Sequence, residues 1–204
     1  MNEQLHPPAI PRTTQAAEGL LRRRWTVAEI REMLAAGIIL EDERFELIGG
    51  EVVPMSPKGN RHEVVKQALQ QYWFPMIARS PTCLITETTL YTGVDEFLEP
   101  DFIFWPRSIP LAEITAAAAL LLVEIADSSV RYDLGRKARM YAGLGLRDYW
   151  VIEAERLITH IHREPDATGY RSKTEHTHKE RVIPALVPEL GVALADLGLQ
   201  PAAM

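Results

Sequence analysis

The sequence predicts an α/β (α+β) fold, chiefly because a strand–helix–strand passage lies in the middle of the chain. Leu120, Leu121, Leu122, Val123 and Ile125 form a nearly continuous apolar run, the pattern of a strand covered on both faces. Asp127, Ser128 and Ser129 then mark a turn and a helix start, and Asp133, Lys137 and Tyr141 recur at four-residue spacing on one helix face. After a turn over Gly143 to Gly145, the stretch DYWVIEA from Asp148 to Ala154 returns to strand character. A second apolar strand, EPDFIFW from Glu99 to Trp105, precedes the passage.

The remaining elements follow in chain order. Residues 1–24 hold Pro7, Pro8 and Pro11 without apolar periodicity and read as a disordered lead-in, ending in Arg22, Arg23 and Arg24 as a solvated charge run. Residues 25–204 read as a single domain. Thr26 followed by Glu29 is a capping-box signature, and Val27, Ile30, Met33 and Leu34 continue at helical spacing until Gly37 closes the helix. Arg44 to Val53 alternates and turns at Gly49-Gly50, which predicts a β-hairpin with Glu46 on its polar, solvated face. Pro54 and Pro57 end the hairpin, and a core helix runs from about His62 to Ala78 on Val64, Val65, Ala68, Leu69, Tyr72 and Trp73. Cys83 to Tyr91 reads as one strand, and Gly93-Val94-Asp95 as a turn toward the strand that begins at Asp101. Leu157 to Glu164 alternates as a further strand, with His160 and His162 on one face. Solvated histidines on an edge strand account for that spacing better than a metal site, and His176 and His178 repeat it in a polar stretch. The two prolines between Val182 and Leu199 favour extended chain over a long helix.

Composition narrows the function. A chain of 204 residues, 47% hydrophobic and 25% charged, suffices for one domain with a full core. A net charge of −6 provides no global electrostatic funnel for nucleic acid, so a polyanion has to meet a local basic patch. Cys83 is the only cysteine, which excludes an intramolecular disulfide and a cysteine-based zinc cluster and fits a reducing compartment. No run approaches the roughly 18 apolar residues of a membrane span. The N-terminus lacks an apolar signal core, and the expected location is the cytoplasm. There is no internal repeat, and the Gly143-x-Gly145 pair follows a helix rather than a strand, which argues against a dinucleotide-binding loop.

Glu124 is the anomaly of the chain. A lone ionised carboxylate in an apolar strand costs far more than one core contact returns, so it needs a partner. It belongs either to a buried ion pair, or to a strand end that reaches water, or to a site. Asp101, directly after Pro100 at the mouth of the other apolar strand, offers a second carboxylate, and Lys137 on the following helix an ammonium. Two carboxylates on two hydrophobic strands suit a hard divalent cation that keeps several waters, the chemistry of metal-assisted phosphodiester cleavage. Arg131, Arg136 and Arg139 add local positive charge. His62 reads either as a ligand or phosphate donor, or as a capping or surface histidine.

Four separated segments resemble, in the right order, the Uma family within the PD-(D/E)XK restriction-endonuclease-like superfamily. They are AAGIILEDERFELIGGEVVPMSPKGNRH (35–62), LEPDFIFW (98–105), LLLVEIADSSVRYDLGRKARMYAGLGLRDYWVIEAE (120–155) and, less specifically, PALVPELGVALADL (184–197). The resemblance implies a restriction-endonuclease-like core, a central mixed β-sheet flanked by helices, with an N-terminal helix and β-hairpin. It places Asp101 in the PD motif and Glu124 at the acidic position of the second motif, and it implies Mg²⁺ or Mn²⁺ held by Asp101, Glu124 and the backbone carbonyl of Ile125. The lysine expected two residues after Glu124 is replaced by Ala126; Lys137 would fill that space from the D-x-x-x-K pattern of 133–137, with Asp133 orienting Lys137 or a bound water. Glu46 and His62 match family positions as well, and His62, Arg131 and Arg136 are the substrate-contact candidates. The expected function is hydrolysis of phosphodiester bonds by a metal-dependent endonuclease, foremost in DNA. A noncatalytic nucleic-acid or protein interaction module that retains the fold is the alternative. A homodimer fits the resemblance, because two cuts in a duplex are naturally made by sites related by a twofold axis.

Overall fold

The computed structural model describes residues 23–40 and 42–202, and these cluster into two compact units. Of the expected disordered lead-in, residues 1–22 lie outside the described residues. The first unit takes in the described part of 1–56 together with 93–98; the second takes in 57–92 and 99–202.

In the first unit Thr26 caps α1 (Val27–Ala35) with the full reciprocal box: its side chain accepts from the Glu29 N–H while the Glu29 carboxylate accepts the Thr26 N–H at 2.8 Å. Arg23 pairs with Glu29 at 2.7 Å and lies 3.8 Å over the Trp25 ring, and Arg24 pairs with Asp95. Arg23 and Arg24 are exposed, as a solvated charge run predicts, and each also reaches one carboxylate. β1 (Phe45–Ile48) and β2 (Glu51–Pro54) form the expected hairpin. Gly49 and Gly50 both take positive φ, 57° and 79°, as the tight turn between right-twisted strands requires. β5 (Glu96–Leu98) pairs antiparallel with β1 at Leu47↔Phe97, giving the order β2-β1-β5, and Ile30 of α1 packs with Phe45, Leu47 and Phe97. All four residues of β1 are buried, Glu46 included at 3% exposure. The solvated face expected for Glu46 does not exist, because β1 is covered on both sides.

The second unit is built on a six-stranded sheet in the order β10-β9-β8-β7-β6-β3. Its strands are β3 (Thr82–Thr86), β6 (Phe102–Pro106), β7 (Leu121–Ala126), β8 (Asp148–Glu153), β9 (Thr159–Asp166) and β10 (Gly169–His176), while β4 (Leu90–Gly93) leads the chain on to β5. β7 and β8 are parallel and the other neighbours antiparallel, so the sheet is mixed. Every residue of β7 and β8 is buried, as a near-continuous apolar run predicts for interior strands. α2 (Asn60–Ile77) covers one face, with Val65, Leu69 and Trp73 against Phe102, Phe104, Val123 and Trp150. Trp73 meets Phe102 and Phe104 edge-on at 5.3 and 5.1 Å and donates its indole N–H to the Leu190 carbonyl at 2.9 Å. The chain after Val182 closes the same core through Val187, Leu190, Val192 and Leu194, and runs as short turns with an isolated bridge, as its prolines predict. On the other face α3 (Val130–Tyr132), a π-turn over Asp133–Lys137, and α4 (Ala138–Gly143) carry the chain from β7 to β8.

Three expectations are corrected here. The helix after β7 is not uniformly α, since the π-turn interrupts it at the two residues singled out for chemistry. Cys83 to Tyr91 is not one strand: it breaks at Glu87, which holds φ at +53° in the left-handed region that disfavours side chains. β10 carries no apolar alternation and escaped the sequence reading; with β10 outside it, β9 is not an edge strand, and His160 and His162 are buried at 8% and 4% exposure. Among the described residues no helix is long and apolar enough to cross a membrane.

Trp73 ties α2, β6 and the C-terminal segment into one core, so Trp73→Ala is expected to destabilise the fold by about 3–5 kcal/mol. Urea unfolding of the two proteins measures this, and a loss below ~1 kcal/mol would show that the site collapses around the deletion.

Candidate active site

Asp101 stands one step before β6, whose register pairs Phe102 with Val123 of β7. Antiparallel pairing therefore sets Asp101 opposite Glu124, and its backbone N–H points at Glu124 Oε2 at 3.4 Å. Both carboxylates are buried. Each has recruited cations and donors from a different helix, as buried charge requires.

Around Asp101 the partners come from the start of α2. Lys58 Nζ lies 2.7 Å from Oδ1, His62 Nε2 lies 3.1 Å from both carboxylate oxygens, and the Ile125 N–H donates to Oδ2 at 2.8 Å. Burial by itself raises this carboxyl, but the His62 and Lys58 contacts outweigh it and hold the group at about 2. Lys58 also pairs with Glu87, which in turn lies 3.1 Å from Lys66 Nζ. The left-handed backbone at Glu87 thus serves to bring a carboxylate to two lysines. Gly59 precedes the helix, and a Cβ there would displace the Asp127 carboxylate, so the start of α2 packs closely on the residue that follows β7.

Around Glu124 the partners come from the helix on the opposite side of the chain. Lys137 Nζ is 3.0 Å from Oε1, and the Tyr141 hydroxyl donates to the same oxygen at 3.1 Å. Asp133 accepts from the Ser129 hydroxyl, and its carbonyl accepts from the Tyr149 hydroxyl at 3.2 Å, which pins the π-turn to β8. Asp133 and Lys137 are both buried, as their shared stripe predicts. π-Turns recur where a helix must re-aim functional side chains.

The structure thus brings Asp101, Glu124, Ile125, Lys137, Asp133 and His62 into one neighbourhood of the second unit. His62 is neither a surface nor a capping residue, since its ring is buried with both nitrogens on carboxylates, Nδ1 facing Glu63 at 3.1 Å. Arg131 and Arg136 are exposed on the same helical segment. Glu46 belongs to the first unit, where it is buried on β1. Lys58, Glu87 and Lys66 escaped the sequence reading; the one signal was a lysine placed directly ahead of a helix start. The histidines of β9 are structural: His160 lies 2.7 Å from Glu153, and His162 clusters with the Tyr149 and Tyr170 rings at 5.7 and 5.6 Å, the two tyrosines being 6.1 Å apart. Burial, with Lys173 and His160 nearby, pushes His162 down to about 4, so its ring is neutral near pH 7.

Among the described residues no group of three or more His, Cys, Asp and Glu side chains is arranged to hold a metal ion. The adjacent carboxylates of Asp101 and Glu124 are oxygen donors, the ligand type a hard cation takes with water completing its shell, and here they are engaged by Lys58, His62, Lys137 and Tyr141.

The family described as "Putative restriction endonuclease", Uma2, matches residues 28–195. No curated protein matches the chain. Among solved structures, a "putative nuclease belonging to DUF820" from Anabaena variabilis ATCC 29413 superposes with a TM-score of 0.63 at 15% identity, over 84% of this chain and 96% of that one. The type IIG restriction endonuclease BpuSI aligns at a TM-score of 0.36 and 16% identity, over 66% of this chain and 15% of that one. The first likeness shows a shared fold.

The lowered carboxyl of Asp101 favours the folded state above the ordinary aspartate range, and that contribution fades as pH falls from there through about 2. Of the whole effect, about 1 kcal/mol is expected to vanish between about pH 5 and pH 3. Unfolding titrations across this range should show a steeper loss in the wild type than in Asp101→Asn; equal slopes would mean that Asp101 is not held ionised by its neighbours.

Proposed function

The chain belongs to the Uma2 family, and from that premise we propose that it is a metal-dependent endonuclease that hydrolyses phosphodiester bonds in DNA. One observation carries the reading: Asp101 and Glu124 lie side by side in the middle of the sheet, with Lys137 Nζ 3.0 Å from Glu124. Asp101, Glu124 and the Ile125 carbonyl would hold Mg²⁺ or Mn²⁺. When bound, such a cation polarises the phosphate and lowers the pKa of a neighbouring water.

The chain's own residues do the rest. Lys137 presents a buried ammonium where negative charge develops on phosphorus-bound oxygen as one P–O bond forms and another breaks. Tyr141 shares Glu124 with Lys137 and fixes the carboxylate's rotation. His62 and Lys58 keep Asp101 ionised, so His62 acts on Asp101 rather than on substrate. Asp133 holds the π-turn that aims Lys137, and the exposed Arg131 and Arg136 meet backbone phosphates. Glu46 is a further candidate carboxylate, on β1. The reading carries with it a cytoplasmic location and a homodimer, whose paired sites would cut both strands of a duplex. One observation favours a noncatalytic interaction module instead: Lys58 and Lys137 already neutralise both carboxylates.

The test is incubation of supercoiled DNA, linear DNA and RNA with the protein in Mg²⁺ or Mn²⁺, with Glu124→Ala as the control. Cleavage is expected from the wild type and none from Glu124→Ala. Lys137→Ala is expected to lower the single-turnover rate by ~10²-fold or more, while calorimetry finds metal affinity changed far less. Wild-type rates in Lys137→Ala would remove that residue from the mechanism, and a wild type inert on every substrate would leave the interaction module.

A further inference from the structure

A groove of about 300 Å³ opens between residues 134–139 and β10 on the α4 side of the sheet. Arg139 lines it from α4, and Arg171 and Lys173 from β10. Among the described residues Arg139 and Lys173 have no ion-pair partner; Arg171 meets Glu164 at 3.8 Å with both side chains mostly exposed, which is worth little, and lies near enough to the exposed Asp166 to help lower its carboxyl. Asp166 is the carboxylate of the groove, and its Oδ1 is already taken up by the N–H groups of Thr168 and Gly169 at 2.7 and 3.1 Å. Gly135 contributes no side chain and faces open space. On a chain of net charge −6, cations concentrated around one concavity call for an anionic ligand.

Tyr170, 6% exposed, forms part of the groove wall. Its hydroxyl is sealed from solvent and lies close enough to the Asp148 carboxylate to feel its charge, so Tyr170 gives the groove a rigid aromatic wall rather than a donor. The Tyr170, His162 and Tyr149 rings form a triangular cluster with centroids 5.6, 5.7 and 6.1 Å apart, and Tyr149 lies 5.0 Å from Tyr141, whose hydroxyl donates to Glu124. Packed aromatic rings therefore lie between the groove and the candidate catalytic carboxylate.

We propose that this groove is a phosphate-binding subsite that holds the sugar-phosphate backbone of a nucleic-acid strand away from the scissile bond, through Arg139, Arg171 and Lys173. The proposal rests on the nuclease reading for the identity of the ligand. The volume stands at the low end of ligand sites, which suits one strand of backbone rather than a duplex.

The test measures binding without catalysis. Anisotropy of a labelled single-stranded oligonucleotide is read with the full chain in EDTA, for wild type, Arg139→Ala/Arg171→Ala/Lys173→Ala, and Tyr170→Phe. A charge-matched control, Arg79→Ala/Arg147→Ala/Lys179→Ala, removes exposed cations that do not line the groove. The groove triple variant is expected to weaken binding at least ~10-fold at low salt and to reduce the salt slope by about 2, the share of three single-strand phosphate contacts. Tyr170→Phe, which keeps the ring that walls the groove, is expected to bind as the wild type does, and the control triple is expected to lose less than the groove triple. Wild-type affinity in the groove triple, or an equal loss in the control, overturns the proposal. Competition by inorganic phosphate and a mononucleotide separates the sources: if the groove triple loses only their binding and keeps the oligonucleotide, the strand assignment is wrong. If the wild type binds the oligonucleotide through the groove but cleaves nothing with metal present, the nuclease reading fails and the subsite stands; if it cleaves yet the groove triple binds normally, the reverse holds.

Discussion

Two carboxylates buried next to each other on neighbouring antiparallel strands repel, and neither can leave the sheet without breaking the register that pairs Phe102 with Val123. The second unit is arranged around that problem. α2 approaches from one side with Lys58 and His62 for Asp101, and the segment after β7 approaches from the other with Lys137 and Tyr141 for Glu124. Because the counter-charges come from separate elements, the site forms only when β6, β7 and both helical segments are assembled. Local features that look costly in isolation fit this demand: the left-handed Glu87, the glycine before α2, and the π-turn over Asp133–Lys137.

The same pair explains why a nuclease chemistry is a natural reading for a fold that need not carry one. Two carboxylates in a shielded setting, with an ammonium already in place, are held by fixed charges and donors that need little rearrangement. Lysines on both carboxylates also show how the folded chain tolerates that much buried charge. Removing one partner of such a cluster leaves the other uncompensated, which couples the chemistry of the site to the stability of the sheet.

Polar elements outside the core matter as much. β10 shields β9, turns its histidines into packing residues and furnishes one wall of a basic groove. His162 is neutral and packed against two tyrosine rings, so the aromatic cluster on the Tyr141 side of the sheet is a rigid support and not a titrating switch near pH 7.

Wherever a side-chain pattern has only one physical solution, the sequence by itself determined the structure. The apolar run before Glu124 could only be an interior strand, Thr26 with Glu29 could only cap a helix, and Gly49-Gly50 between alternating strands could only turn a hairpin. From the same stretches the anomalous Glu124, the second carboxylate at Asp101 and the shared face of Asp133, Lys137 and Tyr141 were legible, while the burial of Glu124 and the π-turn were not. Only the tertiary structure decided what depends on neighbours distant in the chain. Glu46 and His62 are polar residues whose burial is set by what covers them, β10 is held by its pairing with β9 rather than by any apolar period, and Lys58 reaches Asp101 across 43 residues of chain. Hydrophobic periodicity records which face of an element avoids water, whereas the pairing of charges is a property of the assembled fold, in which segments with no common local pattern are brought within ion-pair distance.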